Sequence, residues 1–306
     1  MSKTELIIST YKANPDWSNR KIAQELNVSR RHVRRTLNHI RGVNTQPLRI
    51  PKILLLDIET VMMEVFVWFL GKQRIPYQNV IKEWNMLSWA GKWLFSPEII
   101  FDVQTSKEAI DRDDKRIVSS LYQVINDADI IVGHNLNRFD IRKVNTRLLY
   151  HGFSPTKSFQ TIDTLTVMKR HFSMSSYRLD DICKFLGLPI KIHTGYDLWK
   201  QCLEGKQKSL DNMSTYNQND VLILEELYLR VRGWIKSHPN CALYVESDTS
   251  LCGNCASDNL MGDGRYYTPA GRFVAYRCDD CGAVCRSRYS DLTKEERENL
   301  LISVAR

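Results

Sequence analysis

In Ile53-Leu54-Leu55-Leu56-Asp57-Ile58-Glu59-Thr60 an unbroken aliphatic run ends on two acids. A run of this length without polar alternation predicts a β-strand covered on both faces. Residues two apart on a strand face the same way, so Asp57 and Glu59 stand side by side at its end. Two carboxylates so placed repel each other unless a cation lies between them. Alone, the pair would favour a strand that runs into a solvated turn.

Two further segments extend the pattern. Residues 115–126 carry helical periodicity in Ile117, Leu121, Val124 and Ile125, and Ile130-Ile131-Val132 is a second short buried strand. It leads into Gly133-His134-Asn135 and then Phe139-Asp140, after which Ile141, Val144, Leu148 and Leu149 mark a helix that stops at Gly152. Asp140 therefore lies near a helix N-terminus. The third piece, Tyr216-Asn217-Gln218-Asn219-Asp220, leads into Val221, Leu224 and Leu227, so Tyr216 and Asp220 are four apart on one helical face.

Asp-x-Glu, Asn-x-x-x-Phe-Asp and Tyr-x-x-x-Asp, in this order, resemble the tyrosine subclass of the DEDD 3′-5′ exonucleases (DEDDy), members of the RNase H-like superfamily. The resemblance runs over roughly residues 52–234 and takes in Asp163-Thr164-Leu165 and Leu179-Asp180-Asp181-Ile182 before Gly187. These segments are similar to the proofreading domains of family B DNA polymerases and to YprB-like nucleases. The aromatic insert from Val65 to Leu94, with Trp84, Trp89 and Trp93, and the tail after Trp234 look most like phage-encoded exonucleases. The resemblance implies an α/β fold with a mixed sheet flanked by helices. It also implies two Mg²⁺ or Mn²⁺, with Asp57 bridging both, Glu59 and Asp220 on the first, and Asp140 serving the second largely through water. Tyr216 would aim the attacking water; with an ordinary pKa of about 10 it is a poor base at neutral pH. The chemistry itself asks for hard oxygen ligands, because cleaving a phosphodiester builds charge on the attacking and leaving oxygens.

The neighbouring polar residues divide. Asn135 is expected to contact the nucleic-acid backbone, and His134 to be either a contact or a structural hydrogen-bonder. Asp163 is read as the cap of the helix 164–170, contact with a metal or the terminal nucleotide being the alternative, and Asp180 and Asp181 as surface acids or a cap. His171 and His193 have no ligand-like spacing, and the tryptophans are expected in the core, one aromatic wedging a terminal base being the competing role.

The whole chain has 43 Lys+Arg against 35 Asp+Glu, a net +8, with 43% hydrophobic residues, which excludes disorder, collagen and coiled coil. No apolar stretch approaches the roughly 18 residues of a membrane span, and Met1-Ser2-Lys3-Thr4-Glu5 opens no signal core, so a soluble cytoplasmic protein is expected, in the host cytoplasm if phage-encoded. The charge is concentrated at the front. Lys3, Lys12, Arg20, Lys21, Arg30, Arg31, Arg34, Arg35, Arg41 and Arg49 face only Glu5, Asp16 and Glu25 in the first fifty residues. Beneath that charge Ile22, Ala23, Leu26, Val28, Val33, Leu37 and Ile40 fall at helical spacing, broken at Asn27-Val28-Ser29. Helix, tight turn, helix is predicted, with Arg30, Arg31, Arg34, Arg35 and Asn38 on the exposed face of a DNA-recognition helix; a charged protein-docking domain is the alternative.

At the other end Cys252-Gly253-Asn254-Cys255 and Cys278-Asp279-Asp280-Cys281 are two Cys-x-x-Cys knuckles, the pattern of a zinc ribbon with one structural Zn²⁺. Two short strands are predicted around Pro269-Ala270-Gly271. Cys285, four residues past Cys281, is expected to be a bystander, with substitution as a ligand the alternative. The aromatics Tyr266, Tyr267, Phe273 and Tyr276, interleaved with Arg265, Arg272 and Arg277, suit single-strand contact and the module's own core equally. The predicted domains are a helix-turn-helix at 1–42, a linker at 43–51, the RNase H-like body at 52–236, the ribbon at 237–290 and a tail at 291–306. DNA is the expected partner, with RNA possible, alongside a DNA polymerase or other replication protein. An endonuclease or RNase of the same fold is one alternative function. A DNA-binding regulator or assembly factor built on a non-catalytic scaffold is the other.

Overall fold

The computed structural model describes residues 3–28, 33, 36–37, 50–190, 192 and 194–302. It divides the chain into two compact units, residues 1–49 and 50–306.

In the first unit helices Lys3–Ala13 and Asn19–Glu25 pack through Ile7, Ile22 and Ala23, joined in one apolar cluster by the buried Val33 and Leu37. The Ser18 side chain caps the second helix by accepting from the Lys21 N–H at 3.2 Å. That helix ends because Asn27 takes the left-handed conformation, φ +49°, while the Val28 N–H reaches the Ala23 carbonyl and the Asn27 N–H the Gln24 carbonyl. This is the two-bond stop that asparagine tolerates. Arg30, Arg31, Arg34, Arg35 and Asn38 lie outside the described residues, as does His193 of the second unit.

The strands of the second unit begin with β1 Ile53–Thr60, a small side hairpin of β2 Glu64–Val65 and β3 Val80–Lys82, then β4 Met86–Trp93, β5 Ile99–Val103, β6 Ile130–Gly133 and β7 Gln160–Asp163. All but the hairpin join in one five-stranded sheet in the order β5-β4-β1-β6-β7. β1 pairs antiparallel with β4 and parallel with β6, so the sheet is mixed. Helices cover both faces, which is why β1 carries no polar alternation. Ile53 and Leu55 point to one side, against Val221, Leu224, Leu227 and Tyr228 of the long helix Gln207–Val231. Leu54, Leu56 and Ile58 point to the other, against helix Lys115–Asp127 and Val144 and Leu148 of helix Asp140–Tyr150. This mixed sheet with flanking helices is an RNase H-like fold.

One sequence expectation is corrected here. The aromatic stretch 65–94 is not one insert, because its last part, Met86–Trp93, is β4, the buried strand between β1 and β5. Trp89 is core, its indole N–H donating to the Ile117 carbonyl at 3.0 Å. The strand is hard to read in the sequence because it interleaves Ser88, Gly91 and Lys92 with its apolar residues. Lys92 is buried only because its ammonium pairs with the Glu225 carboxylate of the long helix.

The C-terminal part adds β8 Leu260–Thr268, β9 Gly271–Cys278 and β10 Val284–Arg286, which form a three-stranded sheet with β9 in the middle. It packs directly on the body. A Cβ on Gly233 would stand 2.6 Å from the Cys281 carbonyl oxygen, and Arg232 and Asn254 exchange hydrogen bonds of 2.7 and 3.0 Å.

Candidate metal centre and its surroundings

The parallel strands β1 and β6 part company after the Leu55–Val132 pair. Beyond that point lie the carboxyl ends of the two strands, the end at which ligands usually bind in such sheets. Alternation along β1 carries Asp57 and Glu59 onto the same side as Leu55, which is the side of the long helix. That helix brings in Asp220, one percent exposed. One carboxylate oxygen from each of Asp57, Glu59 and Asp220 lies within 4.8 Å of the others.

Three hard anionic donors this close fit a divalent ion of the Mg²⁺ or Mn²⁺ kind, since without a cation each raises the cost of ionising the next. A residue the sequence did not flag supports the arrangement. The Asn217 side-chain N–H₂ donates to Asp57 Oδ2 at 2.6 Å, and its carbonyl oxygen accepts from the Ser88 hydroxyl at 3.1 Å, in a fully buried position. Its signal was its spacing, three residues before Asp220 and so on the same helical face.

Asp140 opens helix Asp140–Tyr150, and its carboxylate accepts from the Ile58 N–H, between Asp57 and Glu59, at 3.2 Å. It is next to the acidic cluster without belonging to the three-oxygen group. Burial pushes its pKa up from 3.8 to about 7, with a smaller contribution from the charge of Asp163. Tyr216 is half-buried and packs its ring edge-on against Trp199, centroids 5.9 Å apart.

The loop after β6 is held from behind. Asp163, at the end of β7, accepts from the N–H groups of Leu165 and Thr166, capping their helix, and also from those of Asn135 and Asn137 at 3.0 and 3.2 Å. Asn135 itself has φ +67°, a conformation asparagine tolerates. His134 bridges the Thr164 hydroxyl and the Tyr177 carbonyl, at 3.0 and 2.9 Å, so it ties elements together. Asp180 pairs with Lys184 and Asp181 accepts from Ser176, both in the first turn of helix Leu179–Leu186.

In the C-terminal sheet the sulfurs of Cys252, Cys255, Cys278 and Cys281 lie within 4.8 Å of one another. Each knuckle closes alike: Ala256 N–H bonds the Cys252 carbonyl and Gly282 N–H the Cys278 carbonyl, both at 2.8 Å, with left-handed φ at Ala256 and Gly282. This part fits a zinc ribbon, four thiols leaving no open position. Cys285 stays outside the four, its sulfur 3.8 Å from that of Cys252. The ribbon's apolar cluster consists of Cys252, Cys278 and Ala283 with Leu260 and neighbouring cysteines, so the aromatics are not its core. Tyr266 and Tyr267 are exposed, and the Arg286 guanidinium lies 4.0 Å over the Phe273 ring.

The family comparison agrees with the fold. Residues 98–232 match the model of the RNase_H superfamily, a stretch that includes Asp140, Tyr216 and Asp220. Among solved structures the chain is similar to the family B DNA polymerase from the hyperthermophilic archaeon Pyrobaculum calidifontis, at 17% identity and a TM-score of 0.41, over 58% of this chain and 24% of that one. No curated protein matches the sequence. Among the described residues no helix is long and apolar enough to cross a membrane.

Proposed function

We propose that the protein is a metal-dependent 3′-5′ exonuclease of the tyrosine DEDD kind acting on DNA. The observation that carries the proposal is the convergence of Asp57, Glu59 and Asp220 from a strand and a helix onto one point, their oxygens within 4.8 Å. Asp57, Glu59 and Asp220 would hold one divalent ion, with Asp57 and Asp140 serving a second. Bound there, the ions supply charge stabilisation for the attacking and leaving oxygens of an in-line displacement.

The chain's own groups do the rest. Asn217 fixes the rotamer of Asp57 and the Ile58 N–H fixes that of Asp140. Tyr216 orients the water whose oxygen bonds to phosphorus as the bond to the 3′ oxygen breaks. A free single-stranded 3′ end suits the site, since a terminal phosphodiester must enter among carboxylates without its complementary strand. The ribbon holds one Zn²⁺ in a structural role. A DNA polymerase or another replication protein is the proposed partner, and the basic head supplies further contact with DNA.

The test is digestion of a 5′-labelled single-stranded DNA with Mg²⁺ or Mn²⁺, beside Asp57→Ala and a substrate blocked at its 3′ end. A ladder that shortens from the 3′ end, absent in both controls, is expected. Undiminished cutting of the blocked strand would make the enzyme an endonuclease. Activity confined to RNA would move the substrate, and intact nucleic acid in every lane would leave a DNA-binding protein on an RNase H-like scaffold.

A further inference from the structure

The connection between the antiparallel neighbours β1 and β4 is far longer than a hairpin needs. Such loops normally take about 2–5 residues, whereas here residues 61–85 intervene. They leave from the end of β1 that carries Asp57 and Glu59 and return at Met86, the partner of Thr60. The excursion therefore starts and ends beside the acidic residues at the end of β1.

Its base is rigid. Arg112, itself in a left-handed conformation, donates to the Met62 and Glu83 carbonyls at 2.9 and 3.1 Å and to the Glu64 carboxylate at 2.6 Å. β2 and β3 pair above that clamp, and Phe66 and Asn79 exchange bonds of 2.9 and 3.1 Å beyond them. Two residues past β3 comes Trp84, whose ring lies 3.5 Å from the ammonium of Lys143, on the helix that begins with Asp140.

Above this base stands an apolar surface that is largely exposed among the described residues. Phe66 is 71% exposed, Trp68 95%, Phe69 62% and Tyr77 79%. Soluble chains rarely carry so many large rings in the open without a ligand for them. The charge says which ligand. Lys72 and Arg74 are exposed among these rings, Lys82 lies at their base, and no acid occurs from Val65 to Lys82. Flat rings interleaved with cations match unstacked bases on a phosphate backbone.

We propose that residues 66–77 form an arm that grips single-stranded DNA as it approaches the acidic cluster, Phe66, Trp68, Phe69 and Tyr77 offering stacking faces and Lys72 and Arg74 meeting phosphates. The arm's role in delivering substrate rests on the nuclease assignment of the acidic cluster; its contact with DNA can be measured apart from it.

The experiment is fluorescence anisotropy with labelled oligo-dT, without added divalent ions, on the full-length protein, Trp68→Ala/Phe69→Ala, Lys72→Ala/Arg74→Ala and Asp57→Ala. The aromatic double variant is expected to lose at least about tenfold in affinity. The charge double variant should show a shallower salt dependence, by about 0.7 in the log-log slope for each phosphate that is no longer neutralised. Asp57→Ala should retain binding. Arm variants that bind with wild-type affinity and slope would overturn the proposal, as would a wild-type protein that does not bind oligo-dT, which would leave the rings for a protein partner. If the wild type digests DNA while the arm variants bind unchanged, only the arm fails. Weakened arm variants of a protein that digests nothing would uphold the arm and remove the nuclease assignment.

Discussion

Asn217 and Asp140 show how much of the candidate centre is decided by single side chains. Asn217 is buried between Asp57 and Ser88, so replacing it by Leu keeps the packing and frees the Asp57 carboxylate to rotate. A fall of about 10- to 100-fold in kcat on single-stranded DNA is expected, the usual cost of losing such a support. KM should change little, and a KM effect alone would show that Asn217 does not act through Asp57. Asp140 makes a prediction about pH. Its folded pKa, about 7, lies above its ordinary 3.8, so between those values the native chain keeps a proton that the unfolded chain releases. Stability of the protein without divalent ions at the acidic centre should therefore fall as pH rises from about 4 to 7, and Asp140→Asn should remove that part of the slope. Urea midpoints measured in parallel across this range would test it, and identical slopes would count against a buried, proton-holding Asp140.

At the scale of elements, the long helix Gln207–Val231 does two jobs: its apolar face closes one side of the sheet and its polar positions supply Asn217 and Asp220. Glu225 bolts it to the end of β4 by accepting from Lys92 and from the Phe95 N–H at 3.0 Å. Glu225→Leu would strand the Lys92 ammonium in the interior, which commonly costs about 3–5 kcal/mol. Chemical denaturation should show that loss, and Lys92→Met in the same chain should recover part of it, since the pair rather than either charge is what the site tolerates. The acidic positions were legible because strand and helix periods place Asp57 beside Glu59 and Tyr216 above Asp220. β4 was not, because a charge neutralised by a distant helix looks like a surface residue in a one-dimensional string.

For the whole molecule, the division at residue 49 and the seating of the ribbon on Gly233 lead to opposite expectations. A chain beginning at Ile50 should keep its digestion of single-stranded DNA while binding DNA with a weaker salt dependence, since the basic residues of the first unit are gone. A salt slope equal to that of the full chain would exclude the head from DNA contact. Gly233→Val, by contrast, forces a side chain against the Cys281 and Gly282 backbone. It should loosen the ribbon and speed the release of zinc to a chelator, measured by a colorimetric metal indicator. Zinc release at the wild-type rate would mean that the knuckle does not depend on this packing.

What the sequence determined by itself was whatever has a short period or a fixed spacing: the doubly covered strand β1, the helices after Asp114, Asp140 and Asp163, the helix Asn19–Glu25 of the head with its stop at Asn27, and the two cysteine knuckles. These are local, because backbone geometry repeats every two or 3.6 residues and a four-thiol site needs two tight turns. Only the tertiary structure decided that Asn217 holds Asp57, that Asp163 binds two peptide groups of the loop after β6 as well as its own helix, that β4 is core, and that the rings of residues 66–77 face solvent. Each of these depends on partners far apart in the chain, brought together by the packing of the sheet and its helices, and no periodicity in the sequence encodes such a meeting.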